Sequence, residues 1–424
     1  MSLLILAVAI AILLIIRVPV GLAFLGPSLM YMLMSGNSPG FAMRIAAEGT
    51  ASFPLLAVPL FILLGTLANY AGIADRIFDF ALALLGRVRG SLGYVNVASS
   101  VGFAWMSGSA LADSAALGKI MVPAMQKTGY SRGFSTGLTA SAALISPMMP
   151  PSIPAVIFAS VATVSTGALF AASVLPALLL AAALLVTVYL YVRKHSELKK
   201  SPRSAKEIKA ASLRVIGPIL APVIILGGIL GGFFTPTEAA AIGVLYILAL
   251  GFIYRTLSFK GVLNALRETA VTTGSIMLII AAASLLGWVL SREQVPQNLA
   301  DFMTSNISSP ILFLLAVNVL LIILGAFIDA TAVILITVPV LLPIAVEFGV
   351  DPVHFGVIMI LNLMIGLLTP PVGSVLFVMS SVLRTPVETV FKGVAPFLIP
   401  MFLVLLLLTF FPAIVTFVPN LLGF

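Results

Sequence analysis

Two aspartates lie inside strongly hydrophobic sequence, and each is followed by a helix-breaking pair of prolines. Asp113 precedes the segment 146–151 (SPMMPP), and Asp329 precedes 366–371 (GLLTPP). An acidic side chain in a bilayer is costly unless it is paired or faces water, so such a residue indicates a functional site by default. Because the chain carries the pattern twice, it indicates the duplicated broken helices around the binding site of a secondary transporter.

A structural role competes with a functional one at both aspartates. Asp113 is followed by Ser-Ala-Ala and Asp329 by Ala-Thr-Ala. An aspartate in front of such residues is also a good N-cap for a returning helix, because its carboxylate accepts a hydrogen bond from a backbone N–H near the helix start. Both interpretations stay open, and they are compatible because a capped turn still presents loosened carbonyl groups.

Oxygen atoms suited to a hard cation surround both patterns. Ser107, Gly108 and Ser109 interrupt the first apolar stretch, and Gly325 and Thr331 lie at the second interruption. Each proline pair removes helical hydrogen bonds and therefore frees carbonyl groups toward the protein interior. Such oxygens suit Na⁺, whereas a simple kink is the alternative interpretation of each break. The freed carbonyls are those of Ser146, Met149, Gly366 and Thr369.

The composition restricts both the fold and the chemistry. Of the 424 residues, 61% are hydrophobic and 8% are charged, which excludes a soluble globular protein. Long apolar runs without strict alternation indicate transmembrane helices. There is no cysteine, and His195 and His354 each lack a second histidine at ligand spacing. An intramembrane enzyme would therefore depend on serine–aspartate pairs alone, and we expect no enzymatic activity.

Two apolar stretches, 91–126 and 309–346, are interrupted midway by small and polar residues, which indicates re-entrant hairpins. Each half of the chain then crosses the membrane five times, and the odd number inverts the second half relative to the first. We therefore predict an all-α polytopic membrane protein with about ten full spans, built as an inverted-topology repeat. The predicted spans are 2–16, 18–34, 52–70, 131–165, 168–192, 214–232, 237–254, 269–291, 353–383 and 388–418.

The two predicted repeats cover residues 1–192 and 214–424, and a basic cytoplasmic linker at 193–213 joins them. Each repeat begins with scaffold spans and continues with a hairpin, a broken helix and a last span. The scaffold spans lie within 1–90 and 214–306, the broken helices are 131–165 and 353–383, and the last spans are 168–192 and 388–418.

Basic residues support this topology. Placing the N-terminus outside puts eleven of the 22 lysines and arginines in inside loops, and the segment 193–214 adds eight. This bias follows the positive-inside rule. Arg44 and Arg292 are left outside, and Lys119 lies within the first hairpin. The eleven loop residues are Arg17, Arg76, Arg87, Arg89, Lys127, Arg132, Arg255, Lys260, Arg267, Arg384 and Lys392.

Arg292 has two interpretations. It lies near the end of a predicted span that leads to the second hairpin. Its guanidinium could hold a substrate carboxylate through two parallel hydrogen bonds. It could equally extend to the lipid interface while its aliphatic stem stays buried.

Four segments resemble the large membrane subunit of the tripartite ATP-independent periplasmic (TRAP) transporters. They are SGSALADSAA (107–116), SPMMPPS (146–152), FFTPTEAA (233–240) and IGLLTPPVG (365–373), and the resemblance extends over essentially the whole chain. It implies an ion-transporter-type fold that works as an elevator, in which the hairpins and broken helices slide against the scaffold.

The resemblance also implies the activity, the partners and the location. Such a subunit takes up an organic acid with Na⁺ as the coupling ion and with no other cofactor. Sialic acid is favoured by overall likeness and a C4-dicarboxylate comes next. The implied partners are a small four-span membrane subunit and a periplasmic substrate-binding protein, in the bacterial inner membrane with both termini periplasmic. A one-component carboxylate symporter or antiporter without a binding protein is the alternative.

Site residues follow from the matched motifs. One Na⁺ site would use Ser107, Ser109, Ser146, Met149 and Pro151. The other would use Gly325, Thr331, Gly366, Thr369 and Pro371. The substrate would lie between the hairpin tips, where Gly108 and Asp113 belong to the first tip. The implied substrate residues are Asp329, Ser152 and Arg292.

Overall fold

The computed structural model describes residues 3–16, 18–307 and 309–424, and every regular element among them is helical. Ser2, where the first predicted span begins, and Arg17, predicted on the inside, lie outside the described residues. The first half contains α1 (Leu3–Ile15), α2 (Val20–Met34), α3 (Pro39–Thr50), a 3-10 turn (Phe53–Leu56), α4 (Ala57–Tyr70), α5 (Ile73–Leu85), α6 (Ser91–Ser107), α7 (Ala110–Lys127), α8 (Arg132–Ala142), α9 (Ile145–Met148), α10 (Ile153–Ala162) and α11 (Thr166–Lys194). The second half contains α12 (Ala205–Leu230), α13 (Pro236–Ile253), α14 (Phe259–Arg292), α15 (Val295–Asn306), α16 (Pro310–Phe327), α17 (Ala330–Glu347), α18 (Pro352–Gly366), α19 (Ser374–Leu383), α20 (Val387–Phe410) and α21 (Pro412–Leu422).

Nine helical segments of the described residues are long and apolar enough to cross a membrane. Seven of them match predicted spans, and the other two are α16 and α17, the arms of the second hairpin. The remaining three predicted spans consist of shorter apolar helices, namely α1, α2 and the pair α18 and α19. The prediction of an all-α polytopic membrane protein is therefore confirmed.

Both predicted hairpins form, and their tips are short. In the first, α6 ends at Ser107, Gly108 adopts a left-handed conformation with φ of 61°, and Ser109 caps α7. A left-handed residue at a helix end suits glycine, which has no Cβ to clash with the carbonyl group. In the second hairpin, α16 ends at Phe327 and Asp329 caps α17.

The positions of the hairpin tips align the two repeats differently from the sequence pattern. The sequence pattern pairs Asp113 with Asp329, but the helix that follows the tip begins at Ala110 in one hairpin and at Ala330 in the other. That offset of 220 also relates the two proline pairs. The structural counterpart of Asp329 is therefore Ser109, because both residues cap the returning helix.

The broken helices are interrupted where the prolines predict. The first consists of α8, α9 and α10, and the second of α18 and α19. The peptide bonds Pro150–Pro151 and Pro370–Pro371 are both cis. The helix α9 contacts α6 of the first hairpin, and α18 packs along α16 of the second. Each break is thereby held against the hairpin of its own repeat.

Several helices extend beyond the hydropathy-based bounds. The helix α14 begins ten residues before the predicted span 269–291, at a start capped by the Ser258 hydroxyl. The helix α12 starts at Ala205, inside the predicted linker, where Ser204 and Glu207 form a capping box. Hydropathy marks only the part of a helix that suits lipid, whereas capping fixes where the helix starts. The helix α3 was not predicted from the sequence, because it is too polar to read as a span.

Candidate functional site

A cavity of about 470 Å³ lies where the two hairpin tips meet. The tips contribute residues 107–112 and 329–331, and α4 and α14 of the predicted scaffold contribute further residues. No lysine, arginine or histidine of the described residues lines this cavity. The remaining lining residues are Ile62, Gly65, Thr66, Pro147, Ile153, Pro154, Glu268, Thr272, Ser275, Ile276, Ile279, Met364 and Leu367.

The first tip packs tightly between a scaffold helix and the first proline break. A Cβ on Gly65 of α4 would lie 3.1 Å from the Ser107 carbonyl oxygen, and a Cβ on Gly108 would lie 2.7 Å from the Pro151 carbonyl oxygen. The Ser107 hydroxyl lies 3.5 Å from the Ser109 carbonyl oxygen. The contact at Gly108 therefore brings the tip serines and the Pro151 carbonyl, three members of the first predicted Na⁺ site, into one region.

Ser146 and Met149 belong to the same break. Both residues are buried, and the Ser146 hydroxyl has no hydrogen-bond partner among the described residues. The Met149 N–H donates to the Ile145 carbonyl at 2.8 Å. A buried hydroxyl without a partner is costly in a folded protein, so this atom is available to a ligand.

Asp113 is fully buried one turn inside α7, and both of its carboxylate oxygens lack a hydrogen-bond partner among the described residues. The hydroxyls of Ser107 and Ser146 lie near this carboxylate without forming a hydrogen bond to it. The N-cap interpretation is wrong for Asp113, because Ser109 accepts the capping hydrogen bond from the Ala112 N–H. The capping turn starts one helical turn earlier than the sequence pattern suggested.

The second tip approaches the second break closely, backbone against backbone. A Cβ on Gly366 would lie 2.6 Å from the Gly325 carbonyl carbon, so helices α16 and α18 meet glycine against glycine at this point. The N–H groups of Val372 and Gly373 both donate to the Ala326 carbonyl, at 3.1 and 3.2 Å. These bonds fix the loop after Pro371 to the end of α16.

Thr369 in the break and Thr331 at the start of α17 are two further members of the second predicted Na⁺ site. The Thr369 hydroxyl donates to the Ile365 carbonyl at 2.9 Å, and Thr331 lines the central cavity. The N-cap interpretation is confirmed for Asp329, since the Thr331 N–H donates to its Oδ1 at 2.9 Å. Asp329 also lines the cavity, so the cap and a role toward a ligand coexist at this residue.

The other two predicted substrate residues do not line the cavity. Ser152 is fully buried, where its hydroxyl donates to the Pro147 carbonyl and accepts from the Ala155 N–H to cap α10. Arg292 ends α14, with its guanidinium carbon 5.3 Å from the centre of the Trp288 ring. It lies seventeen residues beyond Ser275, which is about 25 Å along a helix that rises about 1.5 Å per residue.

Sequence reasoning missed the scaffold side of the cavity. The helix α14 contributes Glu268, Thr272 and Ser275, and α4 contributes Thr66. Glu268 accepts a hydrogen bond from the Tyr70 hydroxyl at 2.7 Å. The available signal was the spacing of residues 268, 272 and 275, which puts three polar side chains on one face of a helix.

Comparison with known proteins identifies the family. Residues 7–414 match the model of the tripartite ATP-independent periplasmic transporter, DctM component. The chain belongs to this family. The match extends over both hairpins, both breaks and the cavity between them.

Named relatives of this TRAP permease differ in their cargo. It is 44% identical to the sialic acid TRAP transporter large permease protein SiaM of Vibrio cholerae, over 95% of both chains. It is 41% identical to the C4-dicarboxylate TRAP transporter large permease protein DctM of Pseudomonas aeruginosa, over 89% of this chain and 88% of that one. The relatives are transporter permeases, so transport rather than catalysis is the class of function.

A solved structure supports the fold. The TRAP permease superimposes on the YdaH transporter of Alcanivorax borkumensis with a TM-score of 0.62, over 88% of both chains. The sequence identity is 14%, so this likeness concerns the fold alone. With the hairpins and breaks described above, it confirms the predicted fold class of a polytopic inverted repeat.

Proposed function

We propose that this TRAP permease couples the uptake of an organic acid to Na⁺ and moves its cargo by an elevator motion. Sialic acid is the favoured cargo, in line with the SiaM relative, and a C4-dicarboxylate is second. The cargo would occupy the cavity between the hairpin tips, and Na⁺ would bind where each tip meets its proline break.

One observation carries this proposal. At the first tip, the Ser146 hydroxyl and both Asp113 carboxylate oxygens are buried without hydrogen-bond partners in the described part of the chain. Such groups are unfavourable unless a ligand satisfies them. A small cation that prefers oxygen ligands suits this set, and the negative charge of Asp113 would balance it.

The second site would use a different set of donors. The tip and break there approach through glycine backbone at Gly325 and Gly366. The Gly366 carbonyl is not free as predicted, because it accepts from the Thr369 N–H at 2.9 Å. The remaining oxygen donors would be other backbone carbonyls and the Thr331 and Thr369 hydroxyls. Neutral oxygens of this kind bind Na⁺ more weakly than a set that includes a carboxylate. We therefore expect the two sites to differ in affinity.

Coupling would follow from the order that Na⁺ imposes on the tips. Ions that bridge a tip and its break would hold the hairpin tips closed over the cavity only when the cargo is also bound. Only in this closed state would the hairpins and breaks move against the scaffold. Two Na⁺ with a monoanion carry one net charge inward, which yields about 2.3 kcal/mol per 100 mV. Each tenfold Na⁺ gradient adds about 1.4 kcal/mol per ion.

The proposed assembly includes a small four-span membrane subunit and a periplasmic substrate-binding protein. Both are implied by membership of the TRAP family. The complex would lie in the bacterial inner membrane with both termini of this chain periplasmic, as the distribution of basic residues favours. A one-component symporter is no longer favoured, because the relatives are parts of TRAP transporters.

The test is the Na⁺ dependence of uptake by the full complex in proteoliposomes. The Ser107→Ala variant should raise the Na⁺ concentration for half-maximal uptake about fivefold, because one oxygen donor is lost, which is worth about 1 kcal/mol. Ser305→Ala is a matched control, since Ser305 is exposed on α15. Unchanged Na⁺ dependence in the Ser107 variant would count against the first site.

A further inference from the structure

The helix α14 supplies a polar stripe to the cavity between the hairpin tips. Glu268, Thr272 and Ser275 are spaced by four and three residues and therefore lie on one helix face. All three side chains are exposed. The stripe belongs to the predicted scaffold, whereas the predicted Na⁺ ligands belong to the hairpins and breaks.

Glu268 is held in place at this wall. The Tyr70 hydroxyl donates to its Oε1 at 2.7 Å, so the carboxylate bridges α4 and α14. Among the described residues, Glu268 forms no ion pair within 4.0 Å. Arg267 lies in a neighbouring depression, together with Tyr70 and Glu268, but does not line the central cavity. The carboxylate of Glu268 therefore lines the cavity without a paired cation among the described residues.

The two sides of the cavity suit different parts of a cargo molecule. On the hairpin side, Asp329 also lines the cavity, but its Oδ1 accepts from the Thr331 N–H. Na⁺ and the start of α7 can meet one carboxylate there, because N–H groups and cations both favour negative charge. On the α14 side, a second carboxylate would face Glu268 with no cation of the described lining residues to offset the repulsion. Hydroxyl groups of the cargo would instead donate hydrogen bonds to the Glu268 carboxylate, and they would donate to or accept from the hydroxyls of Thr272 and Ser275.

We propose that Glu268, supported by Thr272 and Ser275, selects a hydroxyl-rich monocarboxylate and rejects a dicarboxylate. This inference rests on the proposed function, because it assumes that the cargo binds between the hairpin tips. A site that hydrogen-bonds substrate hydroxyls discriminates strongly against analogues that lack them. The carboxylate of Glu268 adds repulsion against the wrong cargo, which is a second and independent source of selectivity.

The test compares two probes, sialic acid and succinate, binding to the purified full-length chain with its small membrane subunit in Na⁺. The unsubstituted protein should prefer sialic acid by at least about tenfold. Glu268→Gln should lower the ratio of the two affinities about fivefold or more, because the variant should bind sialic acid more weakly and succinate more tightly. Tyr70→Phe should have a smaller effect in the same direction, because it removes only the bond that positions the carboxylate.

Glu48→Gln serves as the control, since Glu48 is an exposed acid on α3 that pairs with Arg44. A ratio that Glu268→Gln leaves unchanged, or a preference of the unsubstituted protein for succinate, would overturn the selectivity inference. Such results would leave Na⁺-coupled transport intact. If no organic acid bound in a Na⁺-dependent way, the proposed function itself would fail.

Discussion

At the scale of single residues, two aspartates that the sequence pattern pairs have different structural roles. Asp329 caps α17 through the Thr331 N–H, while Asp113 is buried one turn inside α7 with no hydrogen-bond partner among the described residues. Sequence comparison pairs identical residues, but the N-cap position accepts serine as readily as aspartate. The cap of α7 is therefore Ser109, and the sequence pattern could not show that Asp113 lies apart from it.

The buried carboxylate of Asp113 leads to a prediction about Na⁺ affinity. Asp113→Asn keeps the shape of the side chain but removes its charge, so Na⁺ should bind the first site more weakly. We expect the Na⁺ concentration for half-maximal uptake to rise at least about tenfold, since a charge this close to the ion outweighs a neutral donor.

Asp301→Asn is the control for this change, because Asp301 is exposed on α15. The variant at Asp301 should leave the Na⁺ dependence unaltered. If Asp113→Asn behaved in the same way as the control, Asp113 would not balance a bound cation.

At the scale of elements, the sequence predicted the hairpins and breaks well, because small and polar residues interrupt the apolar run at each tip and each break carries a pair of adjacent prolines. It predicted the helix ends less well. The helix α14 spans 34 residues, whereas the apolar part suggested 269–291. Hydropathy does not report the turns of a helix that continue into water, and it gave no indication of α3.

The close contact between α16 and α18 predicts that a larger residue there lowers both stability and uptake. A methyl group on Gly366 would lie 2.6 Å from the Gly325 carbonyl carbon, so Gly366→Ala must separate the second tip from its break. We expect the variant to lower the free energy of unfolding by about 1–3 kcal/mol and to weaken Na⁺-dependent uptake. Thermal unfolding of the purified protein and uptake in proteoliposomes would measure the two effects.

Gly227→Ala is the matched control for this contact. Gly227 also lies in a helix, but a Cβ there would meet nothing within 4 Å. Alanine is a better helix former than glycine, so this variant should keep or slightly raise the unfolding temperature. Equal effects of the two variants would show that the close approach at Gly366 is unimportant.

At the scale of the whole molecule, the count of crossings and the loop charges were sufficient to predict an inverted repeat. They could not show which scaffold helix faces the hairpin tips, because that depends on packing between segments far apart in the chain. The structure places α14 there, with Glu268 at the cavity and Arg292 about 36 Å farther along the helix at about 1.5 Å per residue. The cavity-lining residues of α14 could thus be found only from the three-dimensional arrangement.

Uptake driven by an imposed Na⁺ gradient tests the central claim most directly. Proteoliposomes with the full complex and its binding protein would receive labelled sialic acid and equal Na⁺, an inward Na⁺ gradient, or an inward K⁺ gradient. We predict accumulation above the external concentration only with the Na⁺ gradient, and more of it with the interior negative, because net positive charge enters. Accumulation that is equal with K⁺, or that needs no cation gradient, would contradict Na⁺-coupled transport.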